Sequence, residues 1–543
     1  MTRFLYCLSI SVCTLLLVVY AIPCRALDQA VDMVNADYIW QQGYTGSNVE
    51  IGIIDVHQAD SSHPAISGNF LGGVNFANGA GWLSFHATAV AGAAVSQDPN
   101  QMGVAPGAGF WTAQTANRAS RNPDPQTQPS AAETFAQGLG ILNGNPAEVL
   151  SLSIGFAGSD AATDQWSLAL DHIVATEGTT VVVAIGNDGP DPSSIPGPPG
   201  AAYNIFSVGA TGGTGGLDPV LDTSDDYTRI APYSSRGPTI DGRSKPDIVA
   251  PGSLITLPTL SGNWEEASGT SFAAPIVAGG AALLIDAGID LGLDTDAKVI
   301  KSVLMNSADK LANWSHSPTT PLDLNQGAGQ MNLESAYLQY TAGEQESGTV
   351  TGLGWDHGML TGSTANTYQI GGVVDVGSMI VATLTWNRDV TTDTEDIESA
   401  IYTADPLENL ELFLYDANDL LSPVASSISS LDNVEHLFLS APTSGNYVFE
   451  VRAAGGSVMN PTSYSLAWDV EVVAGIPGDF NGDGFVDSFD FLEWQRDPSI
   501  GDIAEWEANY GLPTIANTTA VPEPCALALA FIAFAFTSSG RRR

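Results

Sequence analysis

The segment Thr180-Val181-Val182-Val183-Ala184-Ile185 is a nearly continuous run of apolar and β-branched residues. Val49-Glu50-Ile51-Gly52-Ile53-Ile54 and Val149-Leu150-Ser151-Leu152-Ser153-Ile154 have the same character. Strands of this kind are buried on both faces, which is typical of a parallel sheet. Helical patterns lie between them, and one of these opens with the capping box Ser130-Ala131-Ala132-Glu133. The alternation predicts an α/β layered domain with a mostly parallel sheet over residues 27–342.

The composition excludes several classes of protein. The 543 residues include 17 Lys and Arg against 60 Asp and Glu, for a formal net charge of −43. Because phosphate contacts need a surplus of basic residues, this balance argues against nucleic-acid binding. It also argues against attraction to anionic lipid. An apolar share of 44% is ample for large cores, and the length predicts about three domains.

The N-terminal segment predicts export. Arg3 is followed by an apolar run that ends at Ile22 and then by Cys24-Arg25-Ala26, which resembles a small-residue cleavage site. This order predicts a signal peptide over residues 1–26, with an uncleaved N-terminal anchor as the alternative. Three of the four cysteines lie in this segment, and the fourth is Cys525. The intervening chain therefore has no internal disulfide.

Four polar residues lie where an α/β sheet would gather them. Asp55 ends the first strand, Asn187 lies just beyond the third, and His86 opens a helix-like stretch of small residues. Ser271 lies in Ser268-Gly269-Thr270-Ser271-Phe272-Ala273-Ala274-Pro275, ahead of a strongly apolar helix. A serine nucleophile needs a base that takes its proton and a third group that holds the base. A hydroxyl at a helix N-terminus also has its own N–H and the helix dipole near a developing oxyanion.

The order Asp, His, Ser within these segments resembles the subtilisin-like serine proteases, or subtilases. Residues 268–275 are similar to the nucleophile motif of that family, and residues 233–238 and 245–252 are similar to the segment that leads to it. The resemblance covers about residues 30–340. It implies a secreted or surface serine endopeptidase that acts on proteins or peptides through an acyl-enzyme and needs no cofactor for catalysis.

The resemblance also implies a role for each residue. Ser271 would be the nucleophile, and His86 the general base and then the general acid. Asp55 would orient His86, while the Asn187 side chain and the Ser271 N–H would form the oxyanion hole. The edge segment Ser153-Ile154-Gly155 would pair with the substrate backbone by β-augmentation.

Some positions depart from the family pattern. Ala87 stands where a glycine usually follows the histidine, and Val56-His57 stands where Ser or Thr and Gly usually follow the aspartate. The interval between the predicted signal peptide and Asp55 is too short for the usual N-terminal chaperone domain. The alternative function is therefore a catalytically inactive surface adhesin or scaffold that keeps the subtilase fold.

A change of pattern predicts a second domain over residues 343–474. Short strand-like segments at 379–386, 410–415, 447–451 and 464–468 are separated by Gly, Asn, Asp and Pro turns. This arrangement predicts an all-β sandwich or jelly roll. It resembles the accessory β-sandwich domains that follow the catalytic domains of secreted bacterial proteases, a resemblance that assigns no catalytic residue.

Residues 475–513 contain a predicted calcium loop. Its ligand positions are filled by oxygen donors, the seventh position supplying a backbone carbonyl: Asp479, Asn481, Asp483, Phe485, Asp487 and Asp490. Gly484 provides the sharp turn, and this spacing wraps the oxygens around one Ca²⁺. The loop resembles a dockerin type I loop more than a sensor EF-hand, and a second copy near 502–510 lacks the ligands. A protein partner for this EF-hand-like segment and a purely structural loop both stay open.

The C-terminal tail, residues 514–543, has three parts in order. Val521-Pro522-Glu523-Pro524 is followed by an apolar stretch from Cys525 to Thr537 and by Arg541-Arg542-Arg543. The apolar stretch is shorter than the roughly 20 residues of a spanning helix. The order resembles the bacterial PEP-CTERM sorting tail. It implies recognition by sorting machinery at the inner membrane and delivery to the cell surface, the outer envelope or the medium, with a weak anchor as the alternative.

Overall fold

The computed structural model describes residues 26–77, 79–116, 127–138, 144–155, 161–190, 196–213, 226–394, 400–472, 478, 486–496 and 501–510. The predicted sorting tail and nearly all of the predicted signal peptide lie outside these residues, so both stay predictions. The described residues form an α/β region, a β-rich region and a pair of short helices.

A parallel sheet is the centre of the α/β region. Its strands and those of two short hairpins are β1 (Glu50–Asp55), β2 (Phe70–Asn75), β3 (Gln97–Asp98), β4 (Gln101–Met102), β5 (Gly109–Gln114), β6 (Val149–Leu152), β7 (Thr180–Ala184), β8 (Phe206–Thr211), β9 (Ile248–Pro251), β10 (Ile255–Pro258) and β11 (Trp264–Ala267). Seven of them pair in the order β2-β5-β1-β6-β7-β8-β9, and every pairing in this sheet is parallel. The predicted mostly parallel sheet is confirmed.

Helices cover the two faces of this sheet. They are α1 (Ala26–Met33), α2 (Ala36–Gln41), α3 (Phe85–Val95), α4 (Thr127–Ala136), α5 (Gln165–Glu177), α6 (Thr270–Leu291), α7 (Ala297–Asn306) and α8 (Leu333–Thr341). Ile51 and Ile53 of β1 pack in the apolar cluster that contains α3 and α6. Ile54 packs in the cluster that contains α4 and α5. Because side chains alternate along a strand, β1 contributes to both layers.

Helix α6 is the core helix of the region. Its length and composition would allow it to cross a membrane, but 94% of its apolar window is buried inside the protein. Burial on this scale identifies it as a core helix of the domain. Ser271 lies in its first turn, next to Ser153 at the carboxyl end of β6.

The capping box predicted at Ser130 is wrong. Helix α4 begins at Thr127, so Ser130 lies inside the helix and not at its N-cap. Oγ1 of Thr127 donates to the carbonyl oxygen of Thr115 at 2.6 Å, which ties the helix to the residue after β5. The carboxylate of Glu133 accepts a hydrogen bond from Nε2 of Gln137 at 2.5 Å instead of reaching back to the helix start.

The β-rich region consists mainly of two sheets. Its strands are β12 (Gly348–Val350), β13 (Leu353–Leu360), β14 (Ala365–Ile370), β15 (Met379–Trp386), β16 (Val390–Thr392), β17 (Tyr402–Ala404), β18 (Leu410–Asp416), β19 (Ala425–Ser427), β20 (Val434–Ser440), β21 (Tyr447–Ala453) and β22 (Thr462–Val470). They pair as β12-β14-β21-β18-β19 and β13-β22-β15-β20, with β16 and β17 as a separate hairpin. Residues of both sheets share one buried apolar cluster. An all-β region is thus present, and its jelly-roll connectivity stays a prediction.

The α/β and β-rich regions are packed against each other through buried polar contacts. Helix α7 lies on β15 and β22, where the hydroxyls of Ser302 and Ser465 are 2.7 Å apart. The Thr383 hydroxyl donates to Oδ1 of Asn306 at 2.9 Å, and the Thr385 hydroxyl donates to the Lys298 carbonyl at 3.0 Å. Buried polar groups that are satisfied in pairs fix one relative position of the packed elements.

The helices α9 (Ser488–Arg496) and α10 (Ile503–Asn509) follow the predicted calcium loop. The rings of Phe491 and Trp506 pack at 5.0 Å between centroids, and Nε1 of Trp506 donates to the Asp487 carbonyl at 2.5 Å. The helix predicted to leave the loop is α9. The loop residues Asp479, Asn481, Asp483 and Phe485 lie outside the described residues.

Candidate active site

Asp55 and His86 are in direct contact. Asp55 is the last residue of β1, is 1% exposed, and its Oδ2 lies 2.6 Å from Nδ1 of His86. His86 is in the first turn of α3, whose N-cap Ser84 accepts a hydrogen bond from the Ala87 N–H. The backbone N–H of Val56 donates to Oδ1 of Asp55 at 2.6 Å, so both carboxylate oxygens have donors. The aspartate is thereby held with one oxygen on the imidazole.

This contact changes the acidity of the imidazole. Burial of the ring works against protonation, but the charge of Asp55 and its hydrogen bond outweigh burial and raise the pKa of His86 above its ordinary 6.5. A histidine with a carboxylate on Nδ1 leaves Nε2 to exchange protons with a substrate or nucleophile.

Ser271 is next in the chain to a residue that packs on His86, but it is not hydrogen-bonded to His86. The ring of the next residue, Phe272, lies 5.7 Å from the His86 ring between centroids. The Ser271 hydroxyl instead donates to the Ser153 carbonyl at 3.4 Å, while the Ser153 hydroxyl donates to the Ser271 carbonyl at 2.7 Å. Catalytic hydrogen bonds are often long or poorly aligned before substrate binds, so this arrangement does not exclude a Ser271–His86 pair.

Thr270 fixes the orientation of the Asn187 amide. The backbone N–H and Oγ1 of Thr270 both donate to Oδ1 of Asn187, at 2.8 and 3.0 Å. These two donors hold Oδ1 at Thr270, so Nδ2, the donor of the amide, is turned the other way and is left to bond a substrate. The Gly186 N–H donates to the same threonine hydroxyl at 3.3 Å, which ties the loop after β7 to the start of α6. Sequence reasoning missed this role, although Thr270 lies within the quoted serine motif.

The predicted substrate segment Ser153-Ile154-Gly155 directly follows β6. Ser153 and Ile154 are 5% and 9% exposed, whereas Gly155 is exposed. In the part of the chain that the structure describes, these three residues pair with no strand. An unpaired segment at the end of a sheet strand can accept an extended peptide.

The segments that carry these four residues all lie within residues 46–329, which match the family model described as the subtilase family and make up just over half of the chain. The chain belongs to the subtilase family. It is 34% identical over 218 residues to pyrolysin of Pyrococcus furiosus. The aligned residues make up 37% of this chain and 16% of pyrolysin. It is 29% identical over 344 residues to serine protease AprX of Bacillus subtilis, covering 57% of this chain and 71% of that protein.

A third relative is a thermophilic serine proteinase of Bacillus sp. strain AK1, which is 30% identical over 280 residues and covers 51% of this subtilase and 60% of the relative. The family and the names of these relatives support a serine-type endopeptidase of the subtilisin kind. The matched residues cover only 16% of the length of pyrolysin.

The departures of this subtilase from the family pattern are accommodated around Asp55. The side chain of Val56 packs against the apolar cluster that contains α4 and α5, and its N–H supplies the hydrogen bond to Oδ1 of Asp55. Thr115 adds support that no local pattern indicates, because its N–H and hydroxyl donate to the Asp55 carbonyl at 3.0 and 2.8 Å. Ala87 is fully buried in α3.

Part of the predicted calcium loop is described. The N–H of Asp487 donates to Oδ2 of Asp490 at 2.7 Å, and Asp490 is fully buried. Across the described residues, no group of three or more His, Cys, Asp or Glu side chains is placed to hold a metal ion. The four other predicted ligands are outside that set, so the calcium site of this subtilase stays a prediction.

Proposed function

We propose that this subtilase is a secreted or surface serine endopeptidase that hydrolyses peptide bonds through an acyl-enzyme. The observation that carries the proposal is the 2.6 Å contact between Asp55 and His86, with the ring of Phe272, the neighbour of Ser271, against the His86 ring. Thr270, on the other side of Ser271 in the chain, orients the Asn187 amide. This set contains an acid, a base, a hydroxyl and an oxyanion donor, which are the groups that acyl transfer needs.

The reaction follows from these groups. The Ser271 oxygen forms a bond to the carbonyl carbon while its proton passes to Nε2 of His86, and Asp55 stabilises the resulting imidazolium. The carbonyl oxygen becomes an oxyanion that accepts hydrogen bonds from Nδ2 of Asn187 and the Ser271 N–H. Collapse breaks the C–N bond, and the leaving amine takes the proton from His86. Water then attacks the ester with His86 as base, which releases the acid and restores Ser271.

Hydrolysis of casein by the purified chain is the first test of the proposal. We expect peptide products that are absent when Ser271→Ala is assayed under the same conditions. A catalytically inactive adhesin or scaffold is the second candidate, because the Ser271 hydroxyl is bonded to Ser153 and not to His86. That candidate predicts no hydrolysis by either protein and would replace the first.

The threonine that orients Asn187 gives a smaller, specific prediction. Thr270→Val keeps the side-chain volume and the backbone donor to Oδ1 but removes the hydroxyl, which donates to Oδ1 and accepts the Gly186 N–H. A hydrogen bond worth about 1.5 kcal/mol in the transition state corresponds to roughly a tenfold loss of kcat with little change in KM. The matched control is Thr176→Val, on the exposed side of α5, where the hydroxyl bonds to its own helix. A rise in KM with unchanged kcat would contradict the orienting role.

The calcium loop predicts a metal-binding result for the full-length chain. Calorimetric titration with Ca²⁺ should release or absorb heat, and Asp483→Ala should abolish that heat, because the loop loses one of its oxygen ligands. Asp419→Ala, in an exposed turn of the β-rich region, is the control. Unchanged heat in Asp483→Ala would exclude this loop as the site.

We propose that export and surface sorting depend on residues 1–26 and 514–543, and that a partner of the 475–513 segment is a protein.

A further inference from the structure

A described part of the chain between β7 and β8 lies next to the predicted substrate segment, residues 153–155. A Cβ atom on Gly155 would lie 3.4 Å from the carbonyl oxygen of Pro198. A Cβ atom on Gly200 would lie 3.4 Å from the carbonyl oxygen of Ala184 at the end of β7. Residues 197–202, here called the wall segment, therefore lie against the ends of the neighbouring strands β6 and β7.

The wall segment borders the path of a substrate side chain. A substrate paired with residues 153–155 and attacked by Ser271 has its scissile carbonyl at the Asn187 amide, beyond the end of β7. A substrate paired in this way would run past Gly155 and therefore past the wall segment, whose Pro198 carbonyl oxygen is 3.4 Å from a Cβ atom built on Gly155. The position of this segment would then set the room for a substrate side chain.

The β-rich region holds Asn204, two residues after the wall segment. The Arg388 N–H donates to Oδ1 of Asn204 at 2.8 Å, and Nδ2 of Asn204 donates to the Arg388 carbonyl at 2.9 Å. Nδ2 of Asn433 also donates to Oδ1 of Asn204, at 3.4 Å. Asn204 directly follows Tyr203, the residue after the wall segment. This loop of the α/β region is thus bound to the backbone of the β-rich region.

The side chain of Arg388 adds three further contacts. Its guanidinium carbon lies 4.1 Å from the centre of the Tyr203 ring. Its Nη2 donates to Oδ2 of Asp171 at 2.5 Å and to the Ala162 carbonyl at 2.8 Å. Asp171 in turn accepts the Asn204 N–H on Oδ1 at 2.7 Å. One planar guanidinium therefore joins the residues after the wall segment to α5 and to the turn before it.

Ala162 is held in a conformation that an alanine adopts only with support. Its φ of 56° lies in the left-handed region, which is unfavourable for a residue with a Cβ atom. Such conformations persist when the surroundings fix them and are found at functional sites more often than elsewhere. Arg388 is 6% exposed and Asp171 is fully buried, so the pair that fixes this turn is shielded from solvent.

We propose that Arg388 is a positioning residue for substrate selection, which links the β-rich region to the wall of the substrate cleft. The inference rests on the proposed endopeptidase function and adds to it that the second region takes part in specificity. Arg388 touches neither substrate nor reacting atoms and acts through Asn204, Tyr203 and Ala162.

The test compares Arg388→Lys with wild-type enzyme on two peptides that differ only in the residue before the scissile bond, phenylalanine or alanine. Lysine keeps the buried positive charge beside Asp171 but cannot stack on Tyr203 and bond to Ala162 as a planar group does. We expect the ratio of the two kcat/KM values to change about three- to tenfold, mainly through KM. The rate of phosphonate reaction at Ser271 should stay within about twofold.

A second variant and a control keep the test decisive. Asn433→Ala removes the weaker bond to Asn204 without leaving a buried charge unpaired, and we expect the ratio to move about twofold in the same direction. Ser465→Ala removes a buried contact of the same interface with α7 and should lower the melting temperature without changing the ratio. An unchanged ratio in an active Arg388→Lys enzyme would overturn the role of Arg388 and leave the proposed function intact. A wild-type chain inert to both peptides would overturn both.

Discussion

Ser271→Ala is expected to lower kcat for peptide hydrolysis about 10⁶-fold, the loss that removal of the nucleophile causes in subtilisin. Without the hydroxyl no acyl-enzyme forms, and only the oxyanion donors and substrate binding remain. The fold should persist, because the Ser271 hydroxyl makes a single long hydrogen bond, at 3.4 Å to the Ser153 carbonyl. Burst and steady-state kinetics on a chromogenic peptide would measure the loss.

The matched control for this variant is Ser47→Ala, an exposed serine before β1 whose N–H is bound by Asp286. It should have wild-type kcat and the same melting temperature as Ser271→Ala. Activity in Ser271→Ala within about tenfold of wild type would show that another residue is the nucleophile.

Asp55→Asn is expected to lower kcat about 10⁴-fold and to move the acid limb of the pH profile. In the wild-type enzyme His86 must be neutral to accept the serine proton, so kcat/KM rises with pH through the pKa of His86. The Asp55 carboxylate raises that pKa above 6.5, which places the acid limb of the free enzyme above that pH. Asparagine removes the charge and leaves burial, which lowers the pKa of His86, so the limb of the variant should lie at lower pH.

The rate of phosphonate reaction between about pH 5 and 9 gives the acid limb of the wild-type enzyme and that of Asp55→Asn, even where hydrolysis is too slow to measure. Asp60→Asn is a suitable control, since Asp60 is a buried carboxylate that bonds to Ser62 and to the Ser261 N–H rather than to His86. An acid limb that stays in place or moves to higher pH in Asp55→Asn would contradict the assigned contact.

Local sequence patterns were sufficient for the elements that carry the proposed catalytic residues. The apolar strand before Asp55, the small-residue helix after His86 and the apolar helix after Ser271 all lie where their patterns place them. In each case the apolar pattern of the segment agrees with its burial in the layered α/β domain. Such agreement between local preference and global fold makes a segment predictable.

Contacts between distant parts of the chain could not be predicted in this way. The capping box predicted at Ser130 is wrong because α4 already includes Thr127, whose hydroxyl donates to the Thr115 carbonyl. The turn of the Ser271 hydroxyl toward Ser153 depends on the relative position of α6 and β6. The link from Arg388 to Asp171 joins residues of different regions, and nothing in either local sequence signals it.

Reaction of the purified chain with an active-site serine phosphonate, followed by peptide mapping, tests most directly whether these groups form one catalytic centre. We predict a single adduct on Ser271, formed faster as the pH rises through the pKa of His86 and absent from Ser271→Ala. No adduct at any pH, or an adduct on a different serine, would contradict the assignment of Ser271, His86 and Asp55 to one site.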